Sequence, residues 1–292
     1  MQGRIIKGIA GFYYIHAEQM GIYECKAKGG FRNQKIKPLV GDLVEFDIID
    51  EENKKGNITQ ILPRLNALIR PAVANVDQAM IIFAVAKPAP NLNMLDRFLI
   101  MMQMQHVETL ICFNKTDISS MDEIENLRRI YAGCGCRILF TSVESGEGLE
   151  EVEAVLAGRT TVMAGPSGVG KSSMMNFLKP DADMETGAIS RKIERGRHTT
   201  RHSQLFHINE GTYVFDTPGF TSLYIQDILP EMLKDYFPEF EPYEGRCRFG
   251  GCVHMNEPDC MVKAALAEGK ISKSRYDNYV LLYEELKNQK RY

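Results

Sequence analysis

Short hydrophobic runs, broken by polar clusters, occupy the first part of the chain up to about Pro63. Each run is rich in β-branched and aromatic residues, and Gly, Asn or charged clusters separate one run from the next. The runs are GRIIKGIAGFYYIHA, GIYECKAK, GDLVEFDII and GNITQILP. We predict five strands in this stretch of about sixty residues, and assign residues 1–64 to a small barrel of the OB-fold type.

From about Leu65 the pattern changes to apolar runs that alternate with amphipathic stretches. The apolar runs QAMIIFAVA, ETLICFN, CRILFTS, TTVMAG, LFHIN and TYVFDTPG predict strands. Between them, LNMLDRFLIMMQMQ, MDEIENLRRIYAG, GLEEVEAVLAG and KSSMMNFLK predict helices. Alternating strands and helices indicate an α/β domain with a mainly parallel central sheet, which we assign to residues 65–223.

The remaining segment, residues 224–292, has a third pattern. EPDCMVKAALAEG and SKSRYDNYVLLYEELKNQKRY predict helices that flank a cluster of cysteines. In the last helix an apolar stripe at helical spacing predicts a packing face, made of Tyr279, Leu282, Tyr283 and Leu286. We therefore expect a helical C-terminal domain.

Length and composition are those of a soluble protein. A chain of 292 residues predicts two or three units, each with its own core. No apolar run approaches the roughly 18 residues that span a bilayer, and the N-terminus MQGRIIKGIAG lacks the hydrophobic stretch of a secretory signal. We expect a cytoplasmic monomer without a membrane partner.

A basic segment, KAKGGFRNQKIK, lies between the second and third runs of the barrel and contains no acidic residue. Its cations are Lys26, Lys28, Arg32, Lys35 and Lys37. The net charge of −3 provides no global basic field, so any contact with RNA has to come from a local patch of this kind. The segment is either a flexible hairpin loop or an RNA-contacting loop, and both interpretations stay open.

Three of the seven cysteines crowd into the C-terminal segment beside a histidine. Cys247, Cys252, His254 and Cys260 have the spacing C-x4-C-x-H-x5-C. Three thiolates and one imidazole at close spacing predict a closed, tetrahedral structural Zn²⁺ site, against the alternative of incidental buried cysteines. The remaining cysteines, interpreted as structural, are Cys25, Cys112, Cys134 and Cys136.

A phosphate-binding loop, GPSGVGKS, lies between a predicted strand and a predicted helix. Its glycines allow successive backbone N–H groups to point at phosphate oxygens, and the N-terminus of the following helix adds a positive field. Lys171 is expected to contact the β- and γ-phosphates during catalysis, and the Ser172 hydroxyl to ligate Mg²⁺. The predicted nucleotide contacts are Gly165, Pro166, Ser167, Gly168, Val169, Gly170, Lys171, Ser172 and Ser173.

Upstream of that loop, NKTD ends a predicted strand with Asn114, Lys115, Thr116 and Asp117. Guanine offers two adjacent donors, the ring N1–H and the exocyclic amine, whereas adenine offers none at that edge. The Asp117 carboxylate is an acceptor and therefore selects guanine over adenine. Ser142, in the loop FTSVESGEG after the next strand, is a second candidate contact to the base, although an ordinary strand-to-helix loop has the same appearance.

Downstream, VFDTPGF supplies a D-x-x-G element in which Asp216 would hold the Mg²⁺ shell and the Gly219 N–H would sense the γ-phosphate. The intervening ERGRHTTRHSQ contains Thr199 and Thr200, either of which can close on Mg²⁺ as a switch threonine. The motifs follow one another in the order base loop (NKTD), second base loop (FTSVESGEG), phosphate-binding loop (GPSGVGKS), switch I (ERGRHTTRHSQ) and switch II (VFDTPGF). This is a circular permutation of the usual GTPase order, and it connects switch II directly to the C-terminal segment.

Taken together, the barrel, NKTD before GPSGVGKSS, GRHTT, DTPGF and the cysteine spacing resemble the ribosome small subunit-dependent GTPase A family (RsgA, also called YjeQ) over essentially the whole chain. The resemblance implies a GTPase that binds GTP and GDP with Mg²⁺ and Zn²⁺. It also implies action late in maturation of the small ribosomal subunit, contact with that subunit's rRNA, and stimulation of hydrolysis by the subunit.

The residue after D-x-x-G is Phe220, where many GTPases have a water-orienting Gln. Since Phe cannot orient water by hydrogen bonding, the catalytic candidates are His198, Thr200 and the ribosome, with an exposed loop histidine as the alternative for His198. Two other functions stay open: a zinc-stabilised RNA-docking factor with little turnover, and an ATP-using P-loop kinase or transport ATPase. The Asp117 carboxylate argues against the latter.

Overall fold

The computed structural model describes residues 1–27, 37–69, 71–182, 184, 203–216, 225 and 228–289. Lys28, Arg32 and Lys35 of the basic segment lie outside these ranges. None of the helices in the described ranges is both long enough and apolar enough to cross a membrane.

The N-terminal strands form a closed barrel in the order β1-β2-β3-β5-β4. All strand pairs are antiparallel except β3 with β5, which are parallel. Alternate side chains fill the interior, and Ile5, Ile15, Tyr23, Phe46 and Ile58 have no exposed surface. The five strands and this order confirm the OB-type prediction. They are β1 (Gln2–Ile9), β2 (Phe12–Ala17), β3 (Gly21–Ala27), β4 (Leu43–Asp50) and β5 (Lys55–Ile61).

One boundary within the barrel differs from the hydrophobic pattern. The first run, GRIIKGIAGFYYIHA, contains two strands, which a turn at Ala10 and Gly11 separates. The apolar residues continue through this turn, so hydrophobicity alone does not reveal it. The result is a tight hairpin in which Ile9 pairs with Phe12.

Within the described residues, the central sheet has six strands in the order β10-β11-β9-β6-β7-β8. Pairing is parallel between β7 and β8 and between β9 and β11, whereas β10 is antiparallel to β11. Strand β6 is buried along its full length, as its continuous apolar sequence predicts. The strands are β6 (Gln78–Ala84), β7 (Glu108–Asn114), β8 (Arg137–Thr141), β9 (Thr160–Ala164), β10 (Gln204–Asn209) and β11 (Thr212–Asp216).

The helices of the described chain follow the predicted amphipathic stretches, and the α/β prediction is confirmed. A Ser120 capping box with Glu123 begins α2. In α6, Tyr279, Leu282 and Leu286 are buried, which confirms the predicted packing face. The α-helices are α1 (Leu92–Met104), α2 (Met121–Tyr131), α3 (Leu149–Leu156), α4 (Lys171–Leu178), α5 (Met261–Ala267) and α6 (Lys273–Asn288). Short 3-10 helices lie at Thr116–Ile118, Pro180–Ala182, Pro230–Tyr236 and Pro238–Tyr243.

The chain divides into two compact units. The first contains Met1–Met80, Glu150–Ala164 and Lys171–Gly219, and the second contains Ile81–Leu149, Gly165–Gly170 and Phe220–Tyr292.

Within the first unit, the barrel meets β10 and β11 through aromatic and basic side chains. The His16 and His207 rings are stacked with their centroids 4.2 Å apart. The Tyr213 hydroxyl lies 3.0 Å from His16 Nδ1, and the Arg4 guanidinium lies 4.6 Å from the centroid of the Tyr213 ring. Arg4 also donates a hydrogen bond to the Thr160 hydroxyl.

Within the second unit, a buried ion network joins α6 to α1 and to the 3-10 helix Pro238–Tyr243. Arg275 Nη1 lies 2.5 Å from Asp96 Oδ1, and Arg275 Nε lies 2.7 Å from Glu239 Oε1. Tyr131 Oη and Asn278 Nδ2 donate the remaining hydrogen bonds to Asp96, at 3.0 and 2.6 Å. The hydrophobic pattern gave no sign of this network, because each of its polar residues is separated from its partners in sequence.

Candidate functional site

Each predicted nucleotide motif that the structure describes begins where a strand of the central sheet ends. Asn114 is the last residue of β7 and is in register with Thr141, the last residue of β8. The phosphate-binding loop follows β9 directly, and Asp216, the last residue of β11, is in register with Met163 of β9. The β9–β11 pairing therefore places Asp216 beside Met163, one residue before the end of β9.

Asn114 links the base loop to the phosphate-binding loop. Its side chain is 2% exposed, and Nδ2 donates a hydrogen bond to the Val169 carbonyl oxygen at 2.9 Å. Its Oδ1 accepts a hydrogen bond from the Thr141 hydroxyl at 3.1 Å. Gly170 has φ +102°, and a Cβ at that position would lie 2.2 Å from Asn114 Nδ2. Glycine is therefore required at residue 170 for this contact.

Lys115 makes the second link between the same two loops. It has φ +70°, and its Nζ donates hydrogen bonds to the carbonyl oxygens of Gly168 at 2.7 Å and Lys87 at 2.9 Å. The side chain therefore contacts the phosphate-binding loop at Gly168.

Asp117 is exposed and held by the second base loop. The Ser142 hydroxyl, fully buried, donates a hydrogen bond to Asp117 Oδ1 at 2.6 Å. Ser142 is therefore oriented toward the carboxylate that would read the base. Asp117 Oδ2 has no part in that bond, and a carboxylate oxygen facing solvent can accept from the donors of guanine.

Thr116 and Glu147 add a contact that the motif did not predict. The Thr116 hydroxyl donates to Glu147 Oε2 at 2.7 Å, and the Glu147 carbonyl oxygen accepts from the Ser142 N–H at 2.9 Å. Glu147 thus supports both residues next to the base acceptor. Its place in FTSVESGEG was a weak signal, because acidic residues in such loops are common.

The other predicted nucleotide ligands follow from the chain path. Gly165, Pro166 and Ser167 begin the phosphate-binding loop, and Lys171, Ser172 and Ser173 form the first turn of α4. Successive N–H groups at this helix start suit an anion. His198, Thr199, Thr200 and Gly219 lie outside the described residues.

The cysteine cluster forms a compact donor set whose four ligand atoms all lie within 4.8 Å of one another. His254 Nδ1 lies 3.4 Å from the sulfurs of Cys252 and Cys260 and 3.7 Å from that of Cys247. Zn–S distances of about 2.3 Å and Zn–N distances of about 2.0 Å give donor separations of about 3.5–4 Å in a tetrahedron. The four residues therefore fit a zinc ion.

Hydrogen bonds from residues outside the donor set orient its histidine. His254 Nε2 is hydrogen-bonded to Glu244, which presents Nδ1 to the three thiols, and Lys234 Nζ contacts the other Glu244 oxygen at 2.9 Å. Such a carboxylate–histidine pair is typical of zinc sites. Burial raises the pKa of the Cys252 thiol to about 12 in the absence of a metal charge. A bound dication would offset that cost by stabilising the thiolates.

Comparison with known families gives two matches in chain order. A model described as RsgA N-terminal domain matches residues 2–58, and one described as RsgA GTPase matches residues 61–226. The small ribosomal subunit biogenesis GTPase RsgA of Agathobacter rectalis is 58% identical over 302 residues, covering 100% of both chains. The protein of the same name from Alkaliphilus metalliredigens is 48% identical, covering 100% of this chain and 99% of that one.

Solved structures agree over the whole length. YjeQ from Thermotoga maritima is similar with a TM-score of 0.82 and 38% identity, covering 99% of each chain. YloQ, described as a circularly permuted GTPase, has a TM-score of 0.78 and 37% identity, covering 100% of this chain and 96% of that one. These matches decide against an ATP-using kinase, and the chain is a circularly permuted GTP hydrolase that belongs to the RsgA GTPase family.

Proposed function

We propose that this GTPase binds the small ribosomal subunit and assists its late maturation, with hydrolysis of GTP to GDP and phosphate stimulated by the subunit. Nucleotide binding is supported by two contacts between the loops. Asn114 donates a hydrogen bond to the Val169 carbonyl oxygen, and Lys115 donates one to the Gly168 carbonyl oxygen. They hold the base-reading and phosphate-binding loops as one preorganised site. The printed names of the relatives support the subunit as partner.

In the proposed site, Asp117 accepts from guanine, and Asn114, Lys115, Thr116 and Ser142 hold and flank the base. Backbone N–H groups of Ser167, Gly168, Val169 and Gly170 cradle the phosphates, and Gly165 and Pro166, which has no N–H, begin the loop. Lys171 neutralises negative charge on the β- and γ-phosphates as that charge is redistributed in the transition state. Ser173 adds a contact at the start of α4.

Mg²⁺ fits the proposed site because a serine hydroxyl and a carboxylate are the oxygen ligands that this ion prefers. Ser172 and Asp216 would hold it, joined by Thr199 or Thr200. Bound Mg²⁺ would neutralise charge that develops between the β- and γ-phosphates. Gly219 would sense the γ-phosphate, and His198 and Thr200 are the proposed groups that orient the attacking water.

A structural zinc ion, held by Cys247, Cys252, His254 and Cys260, would stabilise the C-terminal segment. We propose three domains: an RNA-binding OB-fold at residues 1–64, the permuted GTPase domain at 65–223, and a helical zinc-binding domain at 224–292. As a factor for ribosomal subunits, the protein would act in the cytoplasm as a monomer and contact rRNA, with Lys26 and Lys37 contributing from the basic segment.

The deciding experiment measures GTP hydrolysis by the full-length protein alone, with purified small subunits and with purified large subunits at one salt concentration. We expect low intrinsic turnover and stimulation by small subunits only. A Lys171→Ala variant is the control for contaminating GTPases. Equal rates under all three conditions would contradict the proposed partner while leaving the GTPase assignment intact.

A further inference from the structure

The second base loop, which follows β8, folds into a turn that hydrogen bonds to Ser142 close. The Ser142 N–H donates to the Glu147 carbonyl oxygen at 2.9 Å, and the Ser142 carbonyl oxygen accepts from the Gly146 N–H at 2.9 Å. The Ser142 hydroxyl oxygen also accepts from the Ser145 N–H at 3.1 Å. The backbone of Glu147 is therefore tied to the residue whose hydroxyl donates to Asp117.

Gly148 fixes the other side of Glu147. It has φ +70°, and a Cβ at that position would lie 2.4 Å from the Phe140 carbonyl oxygen of β8. The chain therefore packs against the strand more closely than a residue with a side chain would allow. The next residue, Leu149, is buried and begins α3. With its backbone held on both sides, Glu147 presents its side chain to the neighbouring base loop.

The Glu147 carboxylate holds Thr116. The Thr116 hydroxyl donates to Glu147 Oε2 at 2.7 Å, across 31 positions of the chain. Thr116 is 7% exposed and is the first residue of the 3-10 helix Thr116–Ile118, which carries Asp117. A hydrogen bond to a carboxylate is stronger than one between neutral groups, and a buried hydroxyl that lost it would have to shift to find another acceptor.

Two contacts that depend on Glu147 thus meet at Asp117. The Ser142 hydroxyl fixes Asp117 Oδ1, and the bond from Thr116 fixes the short helix on which Asp117 lies. A carboxylate distinguishes guanine from hypoxanthine, which lacks the exocyclic amine, only when its oxygens are aligned with both the N1–H and the amine. The alignment of Asp117 is therefore the property that these two contacts control.

We propose that Glu147 is a positioning residue for guanine selectivity: its carboxylate holds Thr116, its carbonyl oxygen holds Ser142, and the two neighbours align Asp117 with the donors of guanine. The inference rests on the base-reading role proposed for Asp117. Because Glu147 acts through the base loops, its loss weakens recognition of the exocyclic amine and leaves recognition of the phosphates largely intact.

The test compares GDP with inosine diphosphate (IDP), which lacks only the exocyclic amine, by isothermal titration of the full-length protein. The wild type should prefer GDP about tenfold to a hundredfold, the contribution of one hydrogen bond to a charged acceptor. Glu147→Ala should reduce this preference about threefold to tenfold, with little change in the Kd for IDP. A general loosening of the site would weaken both nucleotides equally, so the ratio of the two Kd values reports on positioning.

Three further variants define the route from Glu147 to Asp117. In Glu147→Gln the amide oxygen can still accept from Thr116, so the preference for GDP should be retained. Thr116→Val removes the donor at nearly constant shape and should reproduce the loss seen in Glu147→Ala. Since both changes break one bond, the double variant Glu147→Ala/Thr116→Val should lose no more preference than Glu147→Ala alone. Glu144→Ala, exposed in the same loop, is the control and should behave as the wild type.

An unchanged ratio in Glu147→Ala overturns the proposal, and so does a loss in Glu147→Gln as large as that in Glu147→Ala. Additive losses in the double variant also overturn it. Asp117→Asn distinguishes these results from failure of the base-reading role, because its amide group opposes the exocyclic amine and should abolish the preference for GDP. If Asp117→Asn loses the preference while Glu147→Ala keeps it, only the role of Glu147 is wrong. If Asp117→Asn keeps the preference, both roles are wrong.

Discussion

Asn114 Nδ2 donates a hydrogen bond to the Val169 carbonyl oxygen at 2.9 Å, although 55 residues separate them in the chain. Both residues are almost fully buried, and Asn114 also accepts from Thr141. The circular permutation places the base loop upstream of the phosphate-binding loop, and this bond joins the two loops directly. It follows that base affinity depends on the phosphate-binding loop staying in place.

Asn114→Ala should weaken GDP binding about tenfold to a hundredfold, because it leaves the buried Val169 carbonyl without its donor at a cost of about 1–3 kcal/mol. Isothermal titration with GDP measures the change. Asn126→Ala, at an exposed position of α2, is the matched control and should bind GDP as the wild type does. Unchanged affinity in Asn114→Ala would show that the bond does not organise the site.

Asp117→Asn should exchange guanine preference for xanthine preference by at least about a hundredfold. The new side chain can still accept from Ser142, and its amide group can donate to the carbonyl that replaces the exocyclic amine of guanine. Competition between GDP and XDP measures the preference. Asp122→Asn, exposed in the first turn of α2, should leave it unchanged, whereas retained guanine selectivity in Asp117→Asn would contradict the assigned role.

Local sequence patterns predicted the elements, but not the contacts between them. The strands from β6 to β11 were recognisable because each is a short apolar run, and NKTD and GPSGVGKS were recognisable because phosphate and guanine recognition require those residues in that order. The bond between Thr116 and Glu147 and the bond between Asn114 and Val169 depend on how separate loops meet. The pattern of residues within one loop does not specify which residue of another loop it contacts.

Arg275 shows the same limit for packing. On the sequence it is a polar residue of an amphipathic helix, and such residues are usually exposed. The structure buries it to 2% exposure because Asp96 and Glu239 approach from other elements. A buried charge is stable only with such partners. A local sequence pattern does not predict partners that are distant in the chain.

Glu244→Gln should lower zinc affinity about tenfold to a hundredfold, since this carboxylate orients His254 through Nε2. Competition with a chromogenic chelator measures the affinity. GDP binding should be unaffected, which distinguishes a local effect from general unfolding. Glu241→Gln, an exposed neighbour, is the control, and equal zinc affinity in the two variants would contradict the orienting role.

Acid should destabilise the contact between the barrel and β10. Burial lowers the pKa of His16 and of His207 below the usual value of about 6.5, so near that pH the unfolded chain binds protons that the folded chain does not. Their stabilising contribution is present above about pH 6.5 and is lost as pH falls toward the lowered values. Urea denaturation across this range should show a smaller loss in His16→Gln, and an unchanged loss in the exposed control His106→Asn.

Arg275→Met should lower the free energy of unfolding by about 3–5 kcal/mol, because it leaves the buried carboxylates of Asp96 and Glu239 without their cation. Arg248→Met is the matched control: its pair with Asp259 is about two-thirds exposed on both sides, so the loss should be under about 1 kcal/mol. Urea denaturation measures both.

The double variant Asp96→Asn/Arg275→Met tests the reason for that loss. Asparagine removes one of the two uncompensated charges, and its single oxygen can still accept the hydrogen bond from the Tyr131 hydroxyl, so part of the stability lost in Arg275→Met should return. If the double variant is no more stable than Arg275→Met alone, the loss comes from the packing of the arginine stem. In that case the network would stabilise the junction of α1 and α6 through side-chain packing, and its charges would contribute little to the free energy of unfolding.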